Sequence, residues 1–273
     1  MLTKNQKLEY DENGFVAPLD LLSQNMINDF LSELEYAQQK WPEMLKGTGR
    51  NNPHLVFPSL DKIIHDSKIL DAVESIIGHN ILITGSTFFI KEPQNEGFVS
   101  WHQDAKYIGL EPHNWLTAWI AITDANIENG CMRMVAKSHL SELVHHEDTF
   151  ADDNLLSRGQ NIPNIKESDS VALELNAGQM SLHHPRTIHG SGPNLSNKRR
   201  IGFAVQSYIG TNVDQLIGKM WAQKARGEDT YKYHEPAPRP KSLFNQEAVD
   251  FWLKTNEELG KIYYNDSNKK RNL

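Results

Sequence analysis

The sequence predicts a mainly β protein, a sandwich or barrel of short strands buttressed by helices at both ends. Three observations predict it. The hydrophobic period is helical over about residues 1–80, turns to short runs rich in β-branched and aromatic residues over about 81–210, and becomes helical again near the end. Turn signals separate the middle runs, at Asn129-Gly130, Asn176-Ala177-Gly178 and Gly192-Pro193-Asn194. No composition break divides the 273 residues, so one large domain is expected over 1–273.

In the N-terminal buttress, Ser23 to Lys40 carries Leu22, Met26, Phe30, Leu31 and Leu34 at helical spacing, with Ser23 suited to the N-cap. A second helix is expected over Ser67 to Ile77, its apolar face made by Ile69, Leu70, Val73, Ile76 and Ile77 and its end marked by Gly78. Strands are expected at 81–91, 115–123, 131–136, 170–175, 179–184 and 199–209. The polar stretches 137–169 and 210–245 lack strong periodicity, and long irregular segments of that kind serve as lids or binding loops. The C-terminal part, about 211–260, therefore reads as a lid loop followed by a helix over Gln246 to Gly260; a frayed tail is expected at 265–273.

Composition narrows the function. Lys and Arg number 28 against 35 Asp and Glu, for a net charge of −7 with no dense basic stripe, which argues against nucleic acid as a partner. No run of about 18 apolar residues is present to span a membrane, and the first residues form no secretory signal. A single cysteine, Cys131, forms no internal disulfide and fits a reducing, cytoplasmic setting. The oligomeric state cannot be read from the sequence.

There are 12 histidines. In WHQDA, His102 and Asp104 stand two apart, and on an extended segment residues i and i+2 share a face. One further histidine would complete a two-histidine, one-carboxylate set, which leaves one face of a metal open, as in non-haem Fe(II) oxygenases. The residues alone leave that third ligand open among His183, His184, His189, His139, His145 and His146. His145 and His146 lie in a polar loop and read as solvated; His139 reads as structural.

WHQDA, then TAWIAITDANIENGCMRMVAKSH, then HGSGPNLSNKRRIGFA, together resemble the phytanoyl-CoA dioxygenase-like family over roughly residues 10–240. The resemblance implies an Fe(II)- and 2-oxoglutarate-dependent dioxygenase, consuming O2, on a jelly-roll (double-stranded β-helix, cupin-like) core. It makes His102, Asp104 and His189 the iron ligands and Arg200, eleven residues beyond His189, the anchor of the distal carboxylate of 2-oxoglutarate. An arginine suits that task because its planar fork meets a carboxylate bidentately and stays charged. Ser191, Gln103 and Trp119 match positions lining the cosubstrate pocket, whereas Arg199 should point to the opposite face of its strand. Halogenating relatives carry a small residue at the position of Asp104, so hydroxylation is implied. One departure is visible: Ala136-Lys137-Ser138-His139 stands where the family has Pro-Gly-Ser-His.

The expected substrate is a small, polar, anionic or zwitterionic metabolite, with 2-aminoethylphosphonate, hydroxylated at C1, as the candidate. An amino acid, an ectoine-like solute or a secondary metabolite is the alternative. Lys106, Arg158 and Arg239 are the candidate basic residues of its pocket, with Tyr107, Asn114, Tyr231 and His234 as weaker candidates. A zinc or manganese cupin-like isomerase or hydrolase would have no need of Arg200, and a non-catalytic metal-binding or sensor protein would have no need of the complete set.

Overall fold

The structure is a computed structural model that describes residues 1–269. Helix α1 (Lys4–Asn13) leads into β1 (Phe15–Asp20), then α2 (Gln24–Lys40), α3 (Pro58–Ile64) and α4 (Ser67–Ile77). The strand-rich part follows as β2 (Ile81–Lys91), β3 (Val99–His102), the one-turn α5 (Ala105–Ile108), β4 (Leu110–Glu111), β5 (Trp115–Ala121), β6 (Met132–Met134), β7 (Glu147–Asp148) and β8 (Gln160–Asn161). It continues through β9 (Val171–Leu173), β10 (Gln179–His183), β11 (His189–Ser191) and β12 (Arg200–Gly210), and the chain closes with β13 (Asp214–Gln215), β14 (Trp221–Arg226), β15 (Glu235–Pro236) and α6 (Gln246–Tyr263).

Two sheets face each other: seven strands in the order β1-β10-β5-β12-β2-β14-β15, and four in the order β3-β11-β6-β9. This is the jelly roll that the resemblance implies. The central strands of the large sheet are buried on both faces, and β5 and the first half of β12 divide their side chains by alternation. Leu116, Ala118 and Ile120 of β5, with Ile201, Phe203 and Val205 of β12, join the core beneath α2, α3 and α4. Thr117 and Trp119 of β5, with Arg200, Ala204 and Gln206 of β12, turn the other way and line a cavity between the sheets.

The helices form where capping and apolar spacing agree. Ser23 Oγ accepts from the Met26 amide at the head of α2, and Ile27, Phe30, Leu34 and Ala37 are its buried stripe. Asp66 caps α4 through the Lys68 amide, and Gly78 ends it. Phe30, Phe57 and Phe88 meet with ring centroids 5.5–5.8 Å apart, and the Tyr208 hydroxyl donates to the Ile64 carbonyl at 2.8 Å, tying β12 to the end of α3. The helical layer thus holds one face of the sheet rigid while the other carries the site. No helix among the described residues is long and apolar enough to cross a membrane.

Three parts differ from the sequence reading. The first 80 residues are not all helical, since β1 pairs with β10 at the rim of the large sheet. Pro18 obscured it, and an edge is where a strand tolerates proline. The stretch 210–245 is not one irregular loop: β14 pairs with β2 and with β15. Of the tail expected to fray, residues 270–273 lie outside the described residues, and Asp266 before them is paired with Arg158.

The departure at 136–139 takes a definite form. Lys137 adopts φ +66°, the left-handed region that glycine occupies without strain, and its side chain is exposed. Left-handed backbone costs a non-glycine residue about 1–2 kcal/mol, against about 0.4–1 kcal/mol for glycine's extra freedom in the unfolded chain. Lys137→Gly should therefore raise unfolding free energy by about 0.5–1 kcal/mol, read from urea denaturation; a destabilised variant would contradict this account.

Candidate active site

His102 ends β3 and His189 begins β11, and the two are directly opposed in the antiparallel pairing of those strands. Asp104 is not on the extended segment that the His-x-Asp spacing suggested. It has helical backbone angles, φ −57° and ψ −39°, and caps α5, so the chain turns beneath the imidazole rather than running on. The consequence is the same convergence: one ligating atom from each of His102, Asp104 and His189 lies within 4.8 Å of the other two, and all three residues are buried.

The backbone sets the imidazole tautomers. His102 Nδ1 is 2.8 Å from the Ser100 carbonyl and His189 Nδ1 is 2.9 Å from the Thr187 carbonyl. A carbonyl only accepts, so each Nδ1 carries the proton and each Nε2 presents a lone pair. Those two Nε2 atoms lie 3.5 and 3.9 Å from Asp104 Oδ1. The other carboxylate oxygen is engaged from behind. Thr117 Oγ1 donates to Oδ2 at 2.7 Å, and His183 Nε2 stands 3.5 Å from it. Asp104 is thereby held with one oxygen toward the imidazoles and one toward the sheet.

Burial opposes ionisation of Asp104, and the hydrogen bond from Thr117 offsets part of that cost. Burial, with His102 beside it, holds His189 well below an ordinary histidine. Two neutral nitrogens and one carboxylate oxygen on one side of a point are the donor set that suits Fe(II). The unpartnered buried nitrogens of His183 and of Arg200 line the same space.

That space is a cavity between the sheets, lined by the three candidate ligands and by Thr117, Trp119, His183, Ser191, Arg200 and Gln206 among others. Arg200 is 1% exposed, and its Nε and one terminal nitrogen have no hydrogen-bond partner. Burial lowers its pKa to about 10, so it stays charged at neutral pH. Trp119 lies 5.5 Å from the guanidinium carbon, a cation–π contact. Gly202 permits it, since a Cβ there would come within 2.2 Å of the indole.

Lys91 is a residue that sequence reasoning missed. It faces Arg200 across the β2–β12 pairing, is fully buried, and its Nζ donates to Ser191 Oγ at 2.7 Å and to the Gly192 carbonyl. Burial, with Arg200 nearby, lowers its pKa to about 6. Among the described residues lining the cavity, Asp104 is the sole acid. With its lowered pKa Lys91 is mostly neutral at neutral pH, and Arg200 is the charge at the deep end, without a protein counter-charge, which fits a carboxylate-bearing cosubstrate. The signal was a lysine closing an otherwise uncharged strand, ILITGSTFFIK.

Other candidates stand elsewhere. Gln103 does not line the cavity: its amide donates to the Arg186 carbonyl at 2.8 Å and accepts from the Val144 amide at 3.0 Å. His146 is not solvated, because its Nε2 accepts from the Gln103 amide at 3.0 Å, its ring packs edge-on against Tyr107, and burial lowers its pKa to about 4. Arg158 is clamped to Asp148, Asp266 and the Tyr263 carbonyl. Arg239 pairs with Asp61 at 2.6 Å, His234 donates to the Val213 carbonyl at 2.9 Å, and Asn114 donates to Asn212 at 2.9 Å. Lys106 and Tyr231 are exposed and line neither of the cavities at the triad. Arg199 points away and pairs with Glu92 at 2.9 Å, as its strand position implied. Tyr107 does reach the site, in a second cavity that also touches His102 and Asp104. The stretch 155–160 contributes to that cavity, the stretch 210–245 does not, and Asn256, Gly260, Tyr263 and Tyr264 at the end of α6 do.

Comparison with known proteins places this site in a family. The family model "Phytanoyl-CoA dioxygenase (PhyH)" matches residues 10–202. A Stutzerimonas stutzeri protein described as a probable alpha-ketoglutarate-dependent hypophosphite dioxygenase is 30% identical over 169 residues, 61% of this chain; the match spans 58% of that relative's length. An Arabidopsis thaliana phytanoyl-CoA dioxygenase is 28% identical over 225 residues, 81% of this chain and 75% of its own. Among solved structures, the apo form of the non-heme monooxygenase ThoJ superimposes with a TM-score of 0.83 at 31% identity, covering 94% of this chain and 97% of that one. CytC3 with Fe(II) and alpha-ketoglutarate shares the fold, with a TM-score of 0.66 at 20% identity over 90% of this chain and 99% of its own.

The Thr117 hydroxyl is the group that orients Asp104, and partners of metal-ligating side chains contribute about 10–100-fold to metal affinity. Thr117→Val, which keeps the shape of the side chain, should weaken Fe(II) or Mn(II) binding by about that factor in a chelator competition. Equal affinities would show that the hydroxyl plays no part.

Proposed function

The chain belongs to the phytanoyl-CoA dioxygenase family of Fe(II)- and 2-oxoglutarate-dependent oxygenases, and we propose that it hydroxylates a C–H bond of a small, polar, anionic or zwitterionic metabolite. The observation that carries this reading is the convergence of His102, Asp104, His189 and Arg200 on one buried cavity. When bound, Fe(II) supplies the activation of O2 that couples oxidative decarboxylation of 2-oxoglutarate, to succinate and CO2, to hydroxylation of the substrate.

The remaining chemistry is orientation by the chain's own residues. His102, Asp104 and His189 would hold one face of the ion, with Thr117 fixing the carboxylate and the Ser100 and Thr187 carbonyls fixing the imidazoles. Arg200 would meet the distal carboxylate of 2-oxoglutarate with its two unpartnered nitrogens. Ser191 accepts from Lys91, which leaves its own hydroxyl proton for the same carboxylate. Trp119, Phe89, Val99 and Met132 wall the cavity with apolar surface and exclude water.

For the substrate we propose 2-aminoethylphosphonate, hydroxylated at C1. One observation supports a phosphorus oxyanion, the hypophosphite named in the description of the S. stutzeri relative. A carboxylate at position 104 supports hydroxylation, as does the monooxygenase description of ThoJ.

Incubation with Fe(II), 2-oxoglutarate, O2 and 2-aminoethylphosphonate should give a new phosphorus NMR signal for the 1-hydroxy product and stoichiometric succinate. No product, with succinate at the uncoupled background, would sink this substrate. Asp104→Ala should abolish hydroxylation; full activity in that variant would sink the metal assignment. Arg200→Met should raise the KM for 2-oxoglutarate by about 30–150-fold, the equivalent of about 2–3 kcal/mol for a charged bidentate contact.

A further inference from the structure

The polar segment ahead of β7 is folded onto the turn that carries the metal ligands. Exposure alternates along it: Leu143, His145 and Glu147 are exposed, whereas Val144 and His146 are half-buried. A period of two is that of an extended chain, whose residues i and i+2 share a face. That face meets Gln103, the fully buried residue between His102 and Asp104. The Gln103 backbone N–H donates to His146 Nε2 at 3.0 Å. Its side-chain oxygen accepts from the Val144 amide at 3.0 Å, and its side-chain nitrogen donates to the Arg186 carbonyl at 2.8 Å. Just past Asp104, the Ala105 amide donates to the Pro185 carbonyl at 3.0 Å.

His146 accepts because its other nitrogen is committed. Nδ1 stands 2.9 Å from the Val144 carbonyl, and a carbonyl only accepts, so Nδ1 carries the proton and Nε2 the lone pair. The carbonyl two residues back thus sets the tautomer, as it does at His102 and His189. The His146 ring packs edge-on against Tyr107, whose own ring stacks on that of His102. Gln103 is where the turn needs an acceptor. Strand β3 ends at His102 and Asp104 has helical backbone angles, so at Gln103 the chain has left the sheet. A buried N–H without an acceptor is costly. Lacking the imidazole, the turn would open toward water to satisfy that N–H, and an arriving ion would have to draw it closed again. That cost falls on metal affinity as well as on stability.

We propose that His146 is a positioning residue of the metal centre: by accepting the Gln103 amide hydrogen it holds closed the turn that brings Asp104 beneath His102. This role rests on the reading of His102, Asp104 and His189 as the ligands of a divalent ion. It touches neither the ion nor the substrate and acts only through Gln103. The chain that continues from His146 passes through β7 to the stretch 155–160, which walls the second cavity at the triad. One segment therefore both clamps the metal turn and encloses the space beside it.

The test uses the full chain and Mn(II), without turnover: affinity from chelator competition, the EPR spectrum of the bound ion, and urea unfolding of each metal-free variant. His146→Phe keeps a ring against Tyr107 but has no lone pair, and should weaken Mn(II) binding about 10-fold and alter the EPR spectrum. His146→Gln sets an amide oxygen where Nε2 stands and should recover most of the affinity. His146→Asn, whose amide stops short of the Gln103 N–H, should not, and it replaces the phenylalanine variant if that one does not fold. His145→Phe, at the exposed neighbour, should bind as the wild type does. Wild-type Mn(II) affinity in a folded His146→Phe or His146→Asn, even with lowered stability, overturns the positioning role and leaves the metal reading intact. So does a folded His146→Gln that recovers nothing. A wild type that binds no Mn(II) overturns the metal reading itself, and the role of His146 with it.

Discussion

A carboxylate removed from water is costly unless charge and hydrogen bonds replace its hydration, and Asp104 is a carboxylate 4% exposed at the centre of this molecule. The surrounding structure answers that constraint. It does so only in part: Thr117 donates to one oxygen, whereas two imidazoles flank the other with their lone pairs turned inward and offer it no proton. The inward orientation of those imidazoles comes from backbone carbonyls two residues before each of them, so it is written into the strands themselves. Such a cluster is stable as it stands only with a positive charge at its focus, which is what a divalent cation provides.

Holding that arrangement requires a rigid floor. The central strands of the large sheet supply it because they are buried on both faces, helices on one side and cavity on the other. Alternation along β5 and β12 then decides which residues do chemistry. Leu116, Ala118 and Ile120 hold the helices, while Thr117 and Trp119 between them serve the site. A one-residue slip of either strand would exchange the two sets. Gly202 belongs to the same logic, since the cation–π contact of Trp119 with Arg200 exists only where no Cβ intervenes.

Legibility in the sequence followed locality. Strand β2 is found at 81–91, as read, and α2 follows its predicted cap and stripe, because period and capping are local signals. His-x-Asp and the Arg200 spacing were likewise legible, although the extended geometry assigned to Asp104 was not what the backbone adopts. What failed were statements about where a long charged side chain ends up. Arg158 looked free for a substrate, but one of its partners, Asp266, is 108 residues away. Arg239 looked free, but it meets Asp61 at a sequence separation of 178. Gln103 was placed at the cosubstrate pocket by the resemblance alone, yet it sits between two residues that face inward and itself faces elsewhere, where its amide binds two backbone groups.

The same reasoning explains why the outer wall was missed and why it matters. Asn256, Gly260 and Tyr263 are spaced i, i+4 and i+7 on α6, one stripe of the helix, and all three line the second cavity at the triad. In the sequence that stripe reads as the polar edge of an ordinary amphipathic helix; only its docking against the 48–52 turn, through Trp252 and Asn256, converts it into a wall. The net charge of −7 describes the surface, while the charge of Arg200 is buried in the cavity at the triad. In an interior of low dielectric a few cations dominate the local field whatever the surface carries. The −7 total is therefore no argument against an anionic substrate: its binding is decided by the handful of charges that the fold has taken out of water.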